Sequence, residues 1–476
     1  MKLKSYIEHE VVATTDSKDF GLSSYIVFCA FTCVLSSLST GYHIGSPNTI
    51  EHVVSKCDPS SYPPSPLPAC LPMGPSLWGL TVGIFALGCL LGALGAGAVA
   101  DRLGRKKTLL LGNFFFIVAG ILQGTAPNVI QLIVGRVIAG FGGGLACVLV
   151  PMYNSEISTH RYRGTLGVMM QLFIVVGILL SQALGLGLNS PPGWRILLGL
   201  SIAPAIIQTI LLPFCTETPY WYIHKGYMEE GRNALKRLRP GCNIDREFQE
   251  IKNHGNSETS SNEENAESRN HHSMGVREIL ATPHVRGRFF NAIIVHIIQQ
   301  LSGINGVIYY SSSIFRSSFG EDHAIHATVG VAALNVFMTV ISSLVIDKVG
   351  RKPLLLVGDI IMCIFSILLV VGSVLHIDIL MVVSVALFIC GFAIGVGPIP
   401  WMITPELLPP AAVEAGSSVV TVVNWLVNFA FGFAFPPLQT VLHGWSFLPF
   451  SAITALAAVY IVIFVPETKT RKSSTV

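Results

Sequence analysis

Asp101-Arg102-Leu103-Gly104-Arg105-Lys106 returns as Asp347-Lys348-Val349-Gly350-Arg351-Lys352. The string D-[RK]-x-G-R-K falls between the second and third of a series of long apolar runs, then again between the eighth and ninth. Working outward from the two copies gives twelve runs, at roughly 24–45, 77–100, 108–126, 129–153, 164–188, 195–214, 288–313, 324–346, 354–376, 379–403, 411–435 and 446–465. Each is close to the ~20 apolar residues that a helix needs to cross the hydrocarbon core. A motif repeating after six runs divides the chain into two parallel halves. That is a carrier architecture, with the site near the midplane between the halves.

Charge is distributed to match. Only 12% of the 476 residues are Asp, Glu, Lys or Arg, and 51% are hydrophobic, whereas a soluble globular chain carries about 25% charge. Residues 108–131 hold no Asp, Glu, Lys or Arg, and Pro353 to Met381 holds only Asp359 and Asp378 of these four types. The composition excludes a disordered chain, a fibrous repeat and an ordinary cytosolic enzyme. The expected fold is all-α, a polytopic membrane protein of twelve transmembrane helices in two six-helix halves.

The expected segments are 1–23, a polar N-terminal stretch; 24–214, the first half; 215–287, a loop with short amphipathic helices and a disordered stretch at 252–272; 288–465, the second half; and 466–476, the tail. The first 23 residues lack the apolar core of a signal peptide, so the first helix is expected to direct its own insertion. With both termini cytoplasmic, all of the 30 Lys and Arg except Lys56, Arg136, Arg195 and Arg316 face the cytoplasm. Ten cysteines form no C-x-x-C pair. Cys57 and Cys70 share the expected external loop 46–76, where a disulfide and two free thiols are both open. No nucleophile–base or metal-ligand constellation occurs, so neither enzymatic activity nor a cofactor is expected, nor a nucleic-acid partner.

The most specific string is Gln299-Gln300-Leu301-Ser302-Gly303-Ile304-Asn305 in the seventh run, with Tyr309 and Tyr310 beyond it. Neutral amides donate and accept hydrogen bonds without burying charge, which suits sugar hydroxyls. They equally suit interhelical hydrogen bonds. On a regular helix Gln299 and Gln300 stand about 100° apart and Asn305 about 240° from Gln299. A break at Ser302-Gly303 would bring the three together, as in the discontinuous helices of carriers.

Taken with Pro151-Met152-Tyr153, Gly397-Pro398-Ile399-Pro400-Trp401, Asn424-Trp425 and Pro466-Glu467-Thr468-Lys469, the chain resembles the sugar porters of the major facilitator superfamily. Within them it is most similar to the facilitative hexose carriers, across both halves. The resemblance implies a substrate site of Gln171, Gln299, Gln300, Asn305, Asn335, Trp401 and Asn424. It implies a cytoplasmic gate of Asp101, Arg105, Glu156 and Arg163 in the first half, and of Asp347, Arg351 and Glu406 in the second. Val413 stands where the second half would repeat Arg163. Ala393, and His296-Ile297-Ile298 ahead of Gln299, depart from the glucose pattern and leave fructose open beside glucose.

Proton-coupled members carry Asp directly after the Gly-Tyr of the first helix. Here His43 follows Gly41-Tyr42, so His43 and Arg136 form the candidate proton site. The expected function is hexose transport by alternating access as a facilitated uniporter, in the plasma membrane or an endomembrane. The alternatives are a proton-coupled sugar or polyol symporter and a sugar sensor without net transport. Gln171→Ala and Gln300→Ala are each expected to weaken sugar binding by about 1–3 kcal/mol, read as transport affinity. An unchanged affinity in both refutes the assignment.

Overall fold

In lipid, a backbone N–H or C=O without a partner costs several kcal/mol, and a helix pairs these groups within one segment. Each of the twelve apolar runs accordingly forms a helix. The computed structural model describes residues 21–58, 66–159, 162–259 and 274–468. The first half contains α1 (Ser24–Ser55), α2 (Pro75–Leu103), α3 (Arg105–Gly124), α4 (Val129–Ile157), α5 (Arg163–Leu188) and α6 (Gly193–Phe214). The second contains α7 (Pro283–Arg316), α8 (His323–Ile346), α9 (Arg351–Val374), α10 (Asp378–Leu407), α11 (Pro410–Leu442) and α12 (Leu448–Phe464). Eleven of these are long and apolar enough to cross a membrane. The twelfth, with 17 residues, spans about 25 Å at 1.5 Å per residue.

Three departures from the expected boundaries matter for the site. Helix α1 runs ten residues past its expected end, through Pro47, so much of the expected loop 46–76 is helical. Helix α7 is interrupted: its first segment ends at Leu301, Gly303 takes φ +96°, and a new helix starts at Ile304. Helix α10 carries a π-helical turn at Phe392–Val396. Both interruptions lie inside the protein, where irregular backbone is tolerated.

Between the halves lie four short helices: Pro219–His224, Met228–Leu238, Asp245–Thr259 and Val276–Ala281. Leu235 and Leu238 are the buried face of the second. The third corrects the expected disorder at 252–272, since residues 252–259 are helical. Asp245 and Glu247 stand in its first turn, where the helix dipole favours acids, and Arg246 pairs with Glu250 one turn on. The rest of that stretch lies outside the described residues.

The halves meet along α2 against α11, α5 against the continuous pair α7–α8, and α1 against the second segment of α7. The α1–α2 connection is fastened by the Cys57–Cys70 disulfide, with Cα atoms 6.4 Å apart. Trp194 Nε1 and Arg195 donate to the carbonyls of Ala69 and Pro68. Within the first half, α2 and α4 cross so closely at Gly88 and Gly140 that a Cβ on Gly140 would lie 2.2 Å from the Phe85 carbonyl oxygen. Backbone cannot yield that distance. Gly140→Val is therefore expected to abolish monodisperse protein on size exclusion, while Gly97→Val, where a Cβ meets nothing within 4 Å, leaves the profile unchanged.

Candidate functional site

The break in α7 and the π turn in α10 face one another, and an amide joins them. Gln299 Nε2 donates to the Val396 and Gly397 carbonyls at 3.1 and 2.7 Å. Its Oε1 accepts from Asn424 Nδ2 on α11 at 2.9 Å. Gln300 Nε2 donates to Asn424 Oδ1 at 3.1 Å, and Gln300 Oε1 accepts from Asn305 at 2.7 Å and Asn428 at 3.0 Å. Tyr309 donates to Asn428 Oδ1 at 3.0 Å. His296 stands one turn before Gln299 and Gln300; its Nδ1 pairs with Asn424 Nδ2, and its Nε2 meets Pro400 O and Thr404 Oγ1 at 3.1 Å. Trp401 packs edge-on against His296, ring centres 4.7 Å apart, and is 40% exposed.

Gln299, Gln300, Asn305 and Asn424 thus sit in one buried network. The tight turn at Gly303 brings Asn305 back to Gln300, which a continuous helix would not do. His296 and Asn428 belong to it as well and were not expected. Each had a signal: Asn428 lies one helical turn after Asn424, and His296 one turn before the glutamines. Gln171 is half-buried on α5 and lies outside the network. Asn335 on α8 is buried, and its Oδ1 has no hydrogen-bond partner.

The end of the bundle opposite the D-[RK]-x-G-R-K loops is shut. Asn48 of α1 donates from Nδ2 to Ile308 O and Ser311 Oγ, both at 2.8 Å, and accepts from the Ser312 N–H at 3.0 Å. One side chain therefore clamps the first half onto the second segment of α7. Alongside it, α2 and α11 touch backbone to backbone at Gly83 and Gly432. Asn48 was missed because α1 was expected to end at residue 45.

His43 is enclosed between Phe116 and Phe85, ring centres 5.6 and 6.2 Å away, with neither ring nitrogen hydrogen-bonded. Arg136 is buried beside it and donates to the carbonyls of His43, Thr81 and Val82, with Phe85 beneath its guanidinium. Three of its five N–H groups thus go to backbone carbonyls that tie α4 to α1 and α2.

At the other end, Arg105 pairs with Glu156 at 2.9 Å and Asp101 at 3.3 Å, and Arg351 pairs with Glu406 at 3.2 Å. Both pairs join helices of the same half, so they brace the ends of the halves. The side chains of Arg163 and Asp347 lie outside the described residues. Two further carboxylates take corresponding places. Glu217 accepts from the Arg105 and Lys106 N–H groups at 3.1 and 3.0 Å, and Glu467 from those of Arg351 and Lys352 at 3.1 and 3.2 Å. Each neutralises the positive N-terminus of α3 or α9. Burial pushes the Glu217 carboxyl above the usual range, opposed by the N–H groups of Thr218, Lys106 and Arg105.

The family model described as "Sugar (and other) transporter" matches residues 28–475. The chain is 38% identical over 408 residues to facilitated glucose transporter member 5 of Equus caballus, covering 83% of this chain and 79% of that protein. It is 34% identical over 469 residues to facilitated glucose transporter member 4 of Homo sapiens, covering 94% and 89%. Among solved structures, it is similar to the xylose transporter XylE of E. coli in a partially occluded inward-open conformation. That match has a TM-score of 0.76 and 25% identity, over 94% of this chain and 100% of that one.

The Asn48 clamp is testable. In a Val307→Cys background, a buried position on the same segment, Asn48→Ala removes three hydrogen bonds and is expected to speed labelling by a water-soluble thiol reagent about a hundredfold. The lost hydrogen bonds are each worth about 1 kcal/mol, and 1.4 kcal/mol is a factor of ten. An unchanged rate refutes the clamp.

Proposed function

Because the chain belongs to the sugar transporter family, we propose that it carries a hexose, glucose or fructose, across the membrane by alternating access as a facilitated uniporter. The observation that carries this reading is the uncharged amide network of Gln299, Gln300, Asn305, Asn424 and Asn428, built on α7 and α11 of the second half, with Trp401 against its His296. A hexose offers hydroxyls that donate and accept around an apolar ring face. Amides match the first and an indole the second. A bound sugar exchanges amide–amide hydrogen bonds for amide–hydroxyl ones, at no cost in buried charge. Gln171 and Asn335 complete the site from the facing helices α5 and α8.

The D-[RK]-x-G-R-K end faces the cytoplasm, on the strength of its Lys and Arg. With Asn48 holding the other end shut, the state described is closed to the outside. The halves then rock about the site, with the interruption in α7 and the π turn in α10 as bending points. The braced ends built by Arg105–Glu156–Glu217 and Arg351–Glu406–Glu467 move as units and act as the cytoplasmic gate. The plasma membrane is the proposed location.

Uniport is favoured by position 43. His43 is sealed among aromatic rings beside the Arg136 guanidinium, so a protonated ring would set two cations together. The second reading, proton symport, draws on the likeness to XylE, one structure of which is titled a proton:xylose symporter (TM-score 0.73, 26% identity). Uptake into liposomes separates the two. Equilibration of the sugar with and without a pH gradient is expected, and accumulation above the external concentration overturns uniport. Competition among glucose, fructose, galactose, xylose and inositol names the substrate.

A further inference from the structure

Gln182 lies eleven residues beyond Gln171 on α5, within about 20° of the same face and about 16 Å nearer the closed end. It is 2% exposed, and Asn335 of α8, across the seam between the halves, is 4% exposed. Gln182 Oε1 and Asn335 Oδ1 are both without a hydrogen-bond partner. Both residues line one cavity of about 10 Å³, together with Ser311 of α7 and Thr328 of α8. Ser311 Oγ is the atom that accepts from Asn48. The cavity therefore adjoins the clamp that shuts the outer end.

Buried acceptor oxygens left without donors are rare because they are costly. Two of them, on different halves, line a space the size of one water, whose wall holds four polar side chains among apolar ones that include Val307 and Ile308. A water needs that much room and two to four polar partners. Apolar groups cannot satisfy the oxygens, and an anion would be repelled by them. A small O–H donor satisfies both oxygens and fits the volume.

We propose that this cavity binds a single hydroxyl group that donates to the amide oxygens of the seam, tying α5 to α8 and reinforcing the Asn48 clamp when the outer end is shut. Gln182 is thereby a positioning residue of the outer gate. The hydroxyl has two sources. A water donates to Gln182 and Asn335 together; a hydroxyl at the end of a bound sugar donates to one of them while accepting from Ser311. The sugar source rests on the transport reading given above, and the water source does not.

The test uses the full chain in sodium-free buffer, with Gln182→Leu to remove the acceptor at similar volume and Gln182→Ala as the second variant. Melting curves establish that each is folded. Two quantities are read: the labelling rate of Val307→Cys without sugar, and the affinities for D-glucose, D-fructose and their monodeoxy analogues. A bridging water predicts labelling about tenfold faster, with affinities unchanged. A sugar hydroxyl predicts unchanged labelling and about tenfold weaker binding of every sugar except the one deoxy analogue lacking that hydroxyl. Folded variants that move neither quantity by more than twofold overturn the proposal. A wild-type chain that binds none of these sugars sinks the hexose reading instead, and the labelling arm still decides the water.

Discussion

The side chain of Gln299 holds two interrupted helices together. Its amide nitrogen takes the carbonyls of Val396 and Gly397, at the π turn of α10, while its own helix ends two residues later at Leu301. An interrupted helix leaves backbone groups that lipid cannot satisfy, and they must be met inside the protein. Here the break in α7 directs Gln299 and Gln300 inward, and the loosened turn of α10 presents carbonyls to one of them. Asn424 and Asn428, one turn apart on α11, take up the remaining oxygens. The amide network is thus also the joint between α7, α10 and α11.

Around that joint the chain builds stiff bodies. Arg136 spends three of its donors on carbonyls of α1 and α2, and α2 and α4 meet at glycines with no room for a methyl group. At the charged end each half closes on itself through an arginine, a glutamate at the end of α4 or α10, and a second glutamate capping α3 or α9. Bodies braced in this way move against one another instead of deforming. Across the seam at the end opposite the charged loops, Asn48 hydrogen-bonds α7, α2 meets α11 at glycines, and Trp78 and Val82 of the first half share an apolar cluster with Tyr309 and Tyr310 of the second. Breakable contacts between rigid parts are what a rocking motion requires.

Much of this was legible residue by residue. The twelve helices followed from apolar runs, because spanning length is set by the bilayer. The break at Ser302-Gly303 followed from three amides that no regular helix could aim together. What escaped did so for identifiable reasons. Asn48 was lost with the helix end, since apolar content falls after residue 45 while the helix continues into the protein. The helix over 252–259 was hidden by a polar composition whose dipole-favouring acids lie upstream. Glu467 stood in the string Pro466-Glu467-Thr468-Lys469, but the capping of a helix more than a hundred residues away, by it or by Glu217, leaves no local pattern. Asn428 was overlooked although its spacing from Asn424 placed both on one face.

The sequence by itself determined the helix count, the two-fold repeat of the halves and the uncharged character of the site. These depend on hydropathy and residue type, which are local properties read along the chain. Only the tertiary structure decided which amide meets which: Gln299 with the carbonyls of α10, Gln300 with Asn428, and Asn48 with the second segment of α7. It also placed the arginine–glutamate pairs within the halves instead of between them. The reason is geometric. A hydrogen bond forms over about 3 Å in a set direction, and residues 97 to 264 positions apart meet at that distance only once helix crossings have fixed their depth and rotation.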